Sequence, residues 1–89
     1  MLDSIVPIKI RRVHLDKQGY SKVGGEYFGV GLPLYMFWND DVIEPYIHSF
    51  VRAGNLQQAK IIIKKELEGK TYWSNEIQDR IRISVHFIK

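Results

Sequence analysis

A strict alternation of apolar and polar residues near the end of the chain constrains the fold more than any other feature of the sequence. Between positions 80 and 87, apolar residues occupy every odd position and polar residues every even one, and Ile77 has the same odd parity. This pattern predicts a β-strand with one buried and one exposed face. The protein therefore needs a sheet that is covered by other elements on one side only.

One segment has the pattern of an amphipathic helix, and it begins after Gly54. Asn55 is a good N-cap, Gln58 completes a capping-box pattern, and Gly69 follows where a helix would end. The predicted buried face consists of Leu56, Ala59, Ile63 and Leu67, widened by Ile62. The residues predicted to face water are Gln57, Lys60, Lys64 and Glu68.

Two stretches before the helix predict the first strands. Residues 5–15 read as a strand whose apolar parity changes near Arg11 and Arg12, as a β-bulge there would produce. The polar residues 16–26 predict a long hairpin connection with a mobile tip. Residues 27–38 are apolar but contain two glycines and a proline, so we expect a strand to Val30, a bend, and a second strand at 34–38.

Residues 43–52 alternate again after a turn at 39–41, and residues 70–73 predict a short strand after the helix. The sequence thus predicts an α+β fold, with a small antiparallel sheet of four to five strands and one helix in the order β-β-β-α-β. With 89 residues, a single domain over 1–89 is expected.

Composition narrows the functional classes. The absence of cysteine excludes disulfides and thiolate zinc sites, and no run of apolar residues is long enough for a membrane span. The N-terminus lacks the pattern of a signal peptide, so we expect a cytoplasmic protein and no membrane partner. The net charge is +3, with basic residues before and after an acidic segment, which permits an anionic partner without requiring one.

No motif supports catalysis, a metal or a cofactor. Gly29-Val-Gly31 lacks the third glycine and the βαβ context of a dinucleotide site. Zinc of the histidine type needs three or four converging ligands. If the first and last strands pair, His14 and His86 could approach each other with Asp16 as a third ligand, but ordinary histidines at the sheet surface are the favoured interpretation. We therefore expect a non-enzymatic protein without cofactor.

Two sets of surface residues are better candidates. A chain this short cannot easily bury all eleven aromatic side chains, and exposed aromatics are typical of protein–protein hot spots. The predicted partner-binding set is Trp38, Tyr35, Asp40, Asp41 and Tyr20, with Trp38 as the anchor. The second set is basic and would lie on the first and last strands: Lys9, Arg11, Arg12, Arg80 and Arg82. With Tyr20 or Tyr72 as a stacking platform, this set would suit single-stranded nucleic acid.

Three segments resemble a stretch found in small uncharacterised proteins of phages and mobile elements. They are Arg12-Val-His-Leu-Asp16, Gln18-Gly-Tyr20 and Gly25-Glu-Tyr-Phe-Gly-Val-Gly-Leu-Pro-Leu-Tyr35. Phe50-Val-Arg-Ala53 is similar in the same way. The resemblance implies an accessory protein that binds and blocks a host protein, as anti-CRISPR proteins do.

Two functional hypotheses follow. The first is a protein that inhibits or modulates a host protein complex by binding it. The alternative is a nucleic-acid-binding module that uses a basic sheet face. A homodimer would use the same surplus of aromatic residues.

Overall fold

The computed structural model describes residues 2–39 and 45–88, which form five strands and one helix. Asp40 and Asp41, with the turn predicted there, lie outside the described residues. The elements are β1 (Leu2–Val13), β2 (Leu34–Trp38), β3 (His48–Arg52), α1 (Leu56–Glu68), β4 (Thr71–Ser74) and β5 (Asp79–Ile88). The predicted order β-β-β-α-β matches roughly, because one more strand, β4, lies between α1 and the last strand, close to the short strand predicted at 70–73. The helix after Gly54 is confirmed.

The five strands form one sheet in the order β3-β2-β1-β5-β4, and its pairing is mixed. β1 and β5 run parallel, whereas the other three pairs are antiparallel. The prediction of a purely antiparallel sheet is therefore wrong at its centre. The alternation of apolar and polar residues shows which face of a strand is buried. Because parallel and antiparallel strands alternate in the same way, the pattern did not indicate that β5 runs parallel to β1.

The two halves of the sheet are staggered along β1. β5 pairs with positions 2–9 of β1 and β2 with positions 9–13, so that Lys9 is the one residue of β1 with a partner on both sides, Trp38 and Ile88. This offset extends the molecule to 45 Å in its longest dimension.

The predicted β-bulge near Arg11 and Arg12 is absent, because these residues pair with Met36 and Tyr35 in uninterrupted register. The change of parity has another cause. Val13 faces away from the helix, and the connection 14–33 folds over that end of the sheet. Apolar residues are therefore needed on both faces of the strand at this end.

The connection 14–33 is held by backbone hydrogen bonds and is not extended. The predicted strand from Tyr27 to Val30 is wrong: Tyr27 forms a single bridge to Tyr20, and Gly29 has a φ of +84°. Gly19, with a φ of +91°, lies so close to Gly29 that an added Cβ would be 2.5 Å from the Gly29 carbonyl carbon. Two glycines are thus required where the connection crosses itself.

Helix α1 begins as predicted, with the Asn55 Oδ1 accepting a hydrogen bond from the Gln58 backbone N–H at 2.9 Å. The Gln58 side chain reaches the Gly54 N–H at 3.0 Å. Three of the predicted core residues, Ala59, Ile63 and Leu67, are buried, whereas Leu56 and Ile62 are about two-fifths exposed. The helix covers the sheet face whose core includes Ile8, Phe37, Ile81, Ile83 and Val85.

Glu68, which was predicted to face water, accepts a hydrogen bond from the Val85 backbone N–H at 2.7 Å. β4 pairs with β5 only as far as Arg82, so Val85 lies beyond the end of β4. The Glu68 carboxylate thus covers an edge of β5 that β4 leaves open.

The last strand starts later than predicted. Ile77 lies in the turn before β5 and is 45% exposed, and Gln78 has a φ of +52°.

Within the described ranges, α1 is too short and too polar to cross a bilayer.

Candidate interaction surface on the uncovered sheet face

The helix covers one face of the sheet, and we call the opposite one the open face. Strand register assigns its members, because residues paired across strands point to the same side. On β1 these are the odd-numbered residues from Asp3 to Val13, and on β5 they are the even-numbered residues from Arg80 to Ile88. β2 and β3 contribute Leu34, Met36 and Trp38 and their partners Arg52, Phe50 and His48. β4 contributes Thr71 and Trp73.

Aromatic and cationic side chains are close together where β1, β2 and β3 meet. The Arg11 guanidinium carbon lies 5.9 Å from the centroid of the Trp38 ring, within the range of a cation–π contact. The rings of His48 and Phe50 meet edge to face at 5.9 Å between centroids. We call this group the Trp38 patch: Arg11, Met36, Trp38, His48 and Phe50.

A groove of about 360 Å³ lies between the Trp38 patch and the connection 14–33. Its walls include Val23 and Phe28 from the connection, and the Phe28 ring is 5.2 Å from that of Phe50. Its lining includes the apolar side chains of Val13, Met36 and Phe50, and its polar members are Arg11, Ser21, Glu26 and His48. The connection therefore adds depth to what would otherwise be a flat sheet face.

The three predicted partner-binding residues that the structure describes, Tyr20, Tyr35 and Trp38, are not brought together. Tyr35 is only 5% exposed, because it packs against Ala53 and Ala59 beneath the sheet, so it is not available at the surface. Trp38 is half-buried on the open face. Tyr20 is 42% exposed on the connection, where it contacts Tyr27 with ring centroids 4.9 Å apart. Asp40 and Asp41 lie outside the described residues.

Four of the five predicted basic residues share the open face, as the pairing of the first and last strands requires. Lys9 and Arg11 lie near its middle, and Arg80 and Arg82 lie at the far end. Arg12 has the opposite parity and points to the other face, so it does not belong to the set.

The predicted stacking residues lie elsewhere. Tyr72 packs against the core, where burial and the nearby Glu66 charge raise the pKa of its phenol. Trp73, which was not among the predicted site residues, lies on the open face directly opposite Arg80 and is 58% exposed. The register of β4 with β5 determines that Trp73 lies on the open face, and the sequence does not show this register.

Two polar residues that shape the site were also missed. The Arg52 guanidinium donates hydrogen bonds to the carbonyl oxygens of Phe28, Gly29 and Leu32 at 2.7–3.0 Å and so holds the connection. Asn39 is buried, and its side chain binds the Pro45 carbonyl and the Ile47 N–H, both at 2.9 Å. Asn39 in a turn was visible in the sequence, but no sequence signal marks Arg52.

Residues with metal-binding side chains are dispersed. Within 2–39 and 45–88, no three histidine or acidic side chains converge on one point. His86 lies opposite Pro7, so the pairing of β1 with β5 leaves it far from His14.

Comparisons with protein-family models, with curated proteins and with solved structures found no significant match to this chain.

Proposed function

We propose that this protein is a non-enzymatic binding protein that docks on a protein partner through the Trp38 patch. The observation that supports this most directly is the Arg11 guanidinium over the Trp38 ring, on a sheet face that α1 does not cover. Aromatic residues, methionine and arginine are the residue types enriched at the centres of protein interfaces. The Trp38 patch contains all three types in adjacent register positions.

The geometry suits docking in a second way. Phe50 is 41% exposed, and the neighbouring groove gives a partner side chain a recess to fill. Hot-spot residues lie in such recesses, surrounded by contacts that exclude water. A partner that inserts one apolar side chain beside Phe28 and Phe50 would also cover Trp38.

The resemblance to small proteins of phages and mobile elements supports the biological setting. An accessory protein of that kind acts by occupying a surface that a host complex needs. We therefore propose that the partner is a protein of a bacterial host and that binding inhibits or modulates it in the host cytoplasm.

A pull-down with matched variants tests this function. The immobilised protein is incubated with a nuclease-treated bacterial lysate, and the retained proteins are identified by mass spectrometry. Phe50→Ala and Arg11→Ala should each weaken retention of the partner by about tenfold or more, since each removes a hot-spot side chain from the patch. The control Ile61→Ala removes an equally apolar side chain that is 67% exposed on α1, and it should leave retention unchanged.

Three results would contradict the proposal. They are a retained protein that Phe50→Ala and Arg11→Ala both leave bound, retention that is seen only in a parallel lysate without nuclease, and no retained protein at all. If both variants changed only self-association in sedimentation velocity, the occupant would be a second copy of the chain and no host protein would be involved.

A further inference from the structure

The far end of the open face has its own cluster of side chains, and the Trp38 patch does not include it. Arg80 lies directly opposite Trp73, and Arg82 lies opposite Thr71 on the same side of the sheet. Lys9 of β1 pairs with Ile88 of β5, and Arg82 is six residues before Ile88 on the same strand. At the usual rise per strand residue, Arg82 is therefore about 20 Å from Lys9 along the sheet. The cluster at this end therefore shares no residue with the Trp38 patch.

The Arg80 and Arg82 guanidinium groups have no counterion among the described residues 2–39 and 45–88. In the part of the chain that the structure describes, neither the Arg80 nor the Arg82 side chain makes a hydrogen bond or an ion pair. Asp3, opposite Arg82, is the one carboxylate at an open-face position of the described strands. Asp79, whose Oδ1 accepts a hydrogen bond from the Arg80 backbone N–H at 2.7 Å, has the opposite parity on β5. Two cations against one acid at the open-face positions indicate that this surface has capacity for an external anion.

The Trp73 ring adds an apolar surface beside these cations, on the neighbouring strand. It is 58% exposed, so more than half of a large ring remains in water. Cross-strand partners lie about 5 Å apart and diagonal neighbours about 7–8 Å apart, which places both arginines within reach of a group stacked on the ring. An exposed aromatic ring beside arginines on an open strand surface is the arrangement that binds bases and phosphates together.

We propose that Trp73, Arg80 and Arg82 form a binding site for single-stranded nucleic acid. One base stacks on the Trp73 indole, and the two guanidinium groups bind the phosphates on either side of it. The Thr71 hydroxyl, opposite Arg82, is placed to hydrogen-bond the same backbone. Duplexes are excluded from this mode, because their bases are already stacked on one another. Charge complementarity and the exposed ring favour this ligand over an acidic peptide, which offers no planar group to the indole.

Fluorescence titration of two single-tryptophan variants tests the site. The probes are single-stranded DNA and RNA homopolymers of about 12 nucleotides, a length within the usual range for one small domain. Trp38→Phe leaves Trp73 as the one tryptophan, and its emission should be quenched on binding. Trp73→Phe leaves Trp38, whose emission should not change. Quenching of Trp38 in place of Trp73 would overturn the proposal.

Affinity and salt dependence give a second readout in the wild-type background. Trp73→Ala should weaken binding at least about fivefold, because a stacked base is lost. Arg80→Ala with Arg82→Ala should reduce the slope of log affinity against log salt by about 1.4, since each lost phosphate contact contributes about 0.7 on single strands. Asp3→Asn should strengthen binding. Lys64→Ala with Lys65→Ala removes the same charge from α1 and should leave the slope unchanged.

Several outcomes would overturn the site. These are the absence of binding at low salt, equal affinity for duplex DNA, and binding that Trp73→Ala leaves intact. Displacement by polyglutamate at equal charge concentration, without quenching of Trp73, would show a general anion surface and contradict the stacking site. None of these results bears on retention of a protein partner by the Trp38 patch, so the two proposals fail independently.

Discussion

The guanidinium of Arg52 donates a 2.7 Å hydrogen bond to the carbonyl oxygen of Phe28, which precedes it by 24 positions in the chain. Two further bonds reach Gly29 and Leu32. A planar guanidinium presents several donors in a fixed geometry, so one side chain donates to three carbonyl groups of the connection that lie outside the sheet. The bond also holds Phe28 against Phe50, where it forms a wall of the groove beside the Trp38 patch.

Replacing Arg52 should therefore loosen the connection 14–33. We expect Arg52→Ala to lower the free energy of unfolding by about 2 kcal/mol, because charge-assisted hydrogen bonds are lost. Arg52→Lys should recover only part of this, since one ammonium group cannot reach all three carbonyls. Urea denaturation and the rate of proteolysis within 28–32 measure both effects. Arg82→Ala, which removes the same charge but no internal hydrogen bond, should change stability by less than about 0.5 kcal/mol.

The contact between Gly19 and Gly29 predicts a large difference between two glycine substitutions. Gly19→Ala should destabilise the protein by about 3 kcal/mol or more, because its Cβ would overlap the Gly29 carbonyl and its φ is +91°. Gly25→Ala is the matched control, with a φ of +73° but no atom within 4 Å of the added Cβ. It should cost about 1 kcal/mol from backbone strain alone. Equal losses in thermal or urea unfolding would contradict the close approach.

Glu68 should contribute to stability although it lies near the end of a surface helix. Glu68→Ala leaves the Val85 N–H without its acceptor and should cost about 1.5 kcal/mol, and Glu68→Gln should cost less because an amide oxygen still accepts. Glu66→Ala is the control, since its contact with Lys70 is an exposed pair at 3.7 Å worth about 0.5 kcal/mol or less. Hydrogen exchange at Val85 should accelerate in Glu68→Ala. Unchanged exchange there would be inconsistent with this bond.

The raised pKa of Tyr72 predicts a loss of stability in alkali. Its phenol loses its proton at higher pH in the folded state than in the unfolded state, because burial and the Glu66 charge oppose a phenolate. Above pH 10, the unfolded chain releases this proton first, so the free energy of unfolding falls as the pH rises. Tyr72→Phe removes this contribution. The difference in stability between wild type and Tyr72→Phe should be constant below pH 9 and should shift in favour of the variant above pH 10. A difference that does not depend on pH would contradict the burial of the phenol.

Local sequence determined the elements that depend on local interactions. Asn55 and Gln58 placed the start of α1 because a cap uses residues within one turn, and alternation identified the buried face of β5 because the strand period is two. The exposure of Trp73 and four other aromatic rings follows from the size of the chain, since so short a protein has too little interior for all eleven.

Only the tertiary structure decided how these elements meet. The parallel pairing of β1 with β5 brought Arg82 opposite Asp3 and left the two basic groups about 20 Å apart. The uninterrupted register of β1 with β2 placed Arg12 on the other face from Arg11. The sequence predicted a β-bulge from the change of apolar parity at Val13. The structure has no bulge there, and Val13 is apolar because the connection 14–33 covers that end of the open face. Strand direction, register and the path of a long connection depend on contacts between residues far apart in the chain, whereas local patterns record only which side of each element is buried.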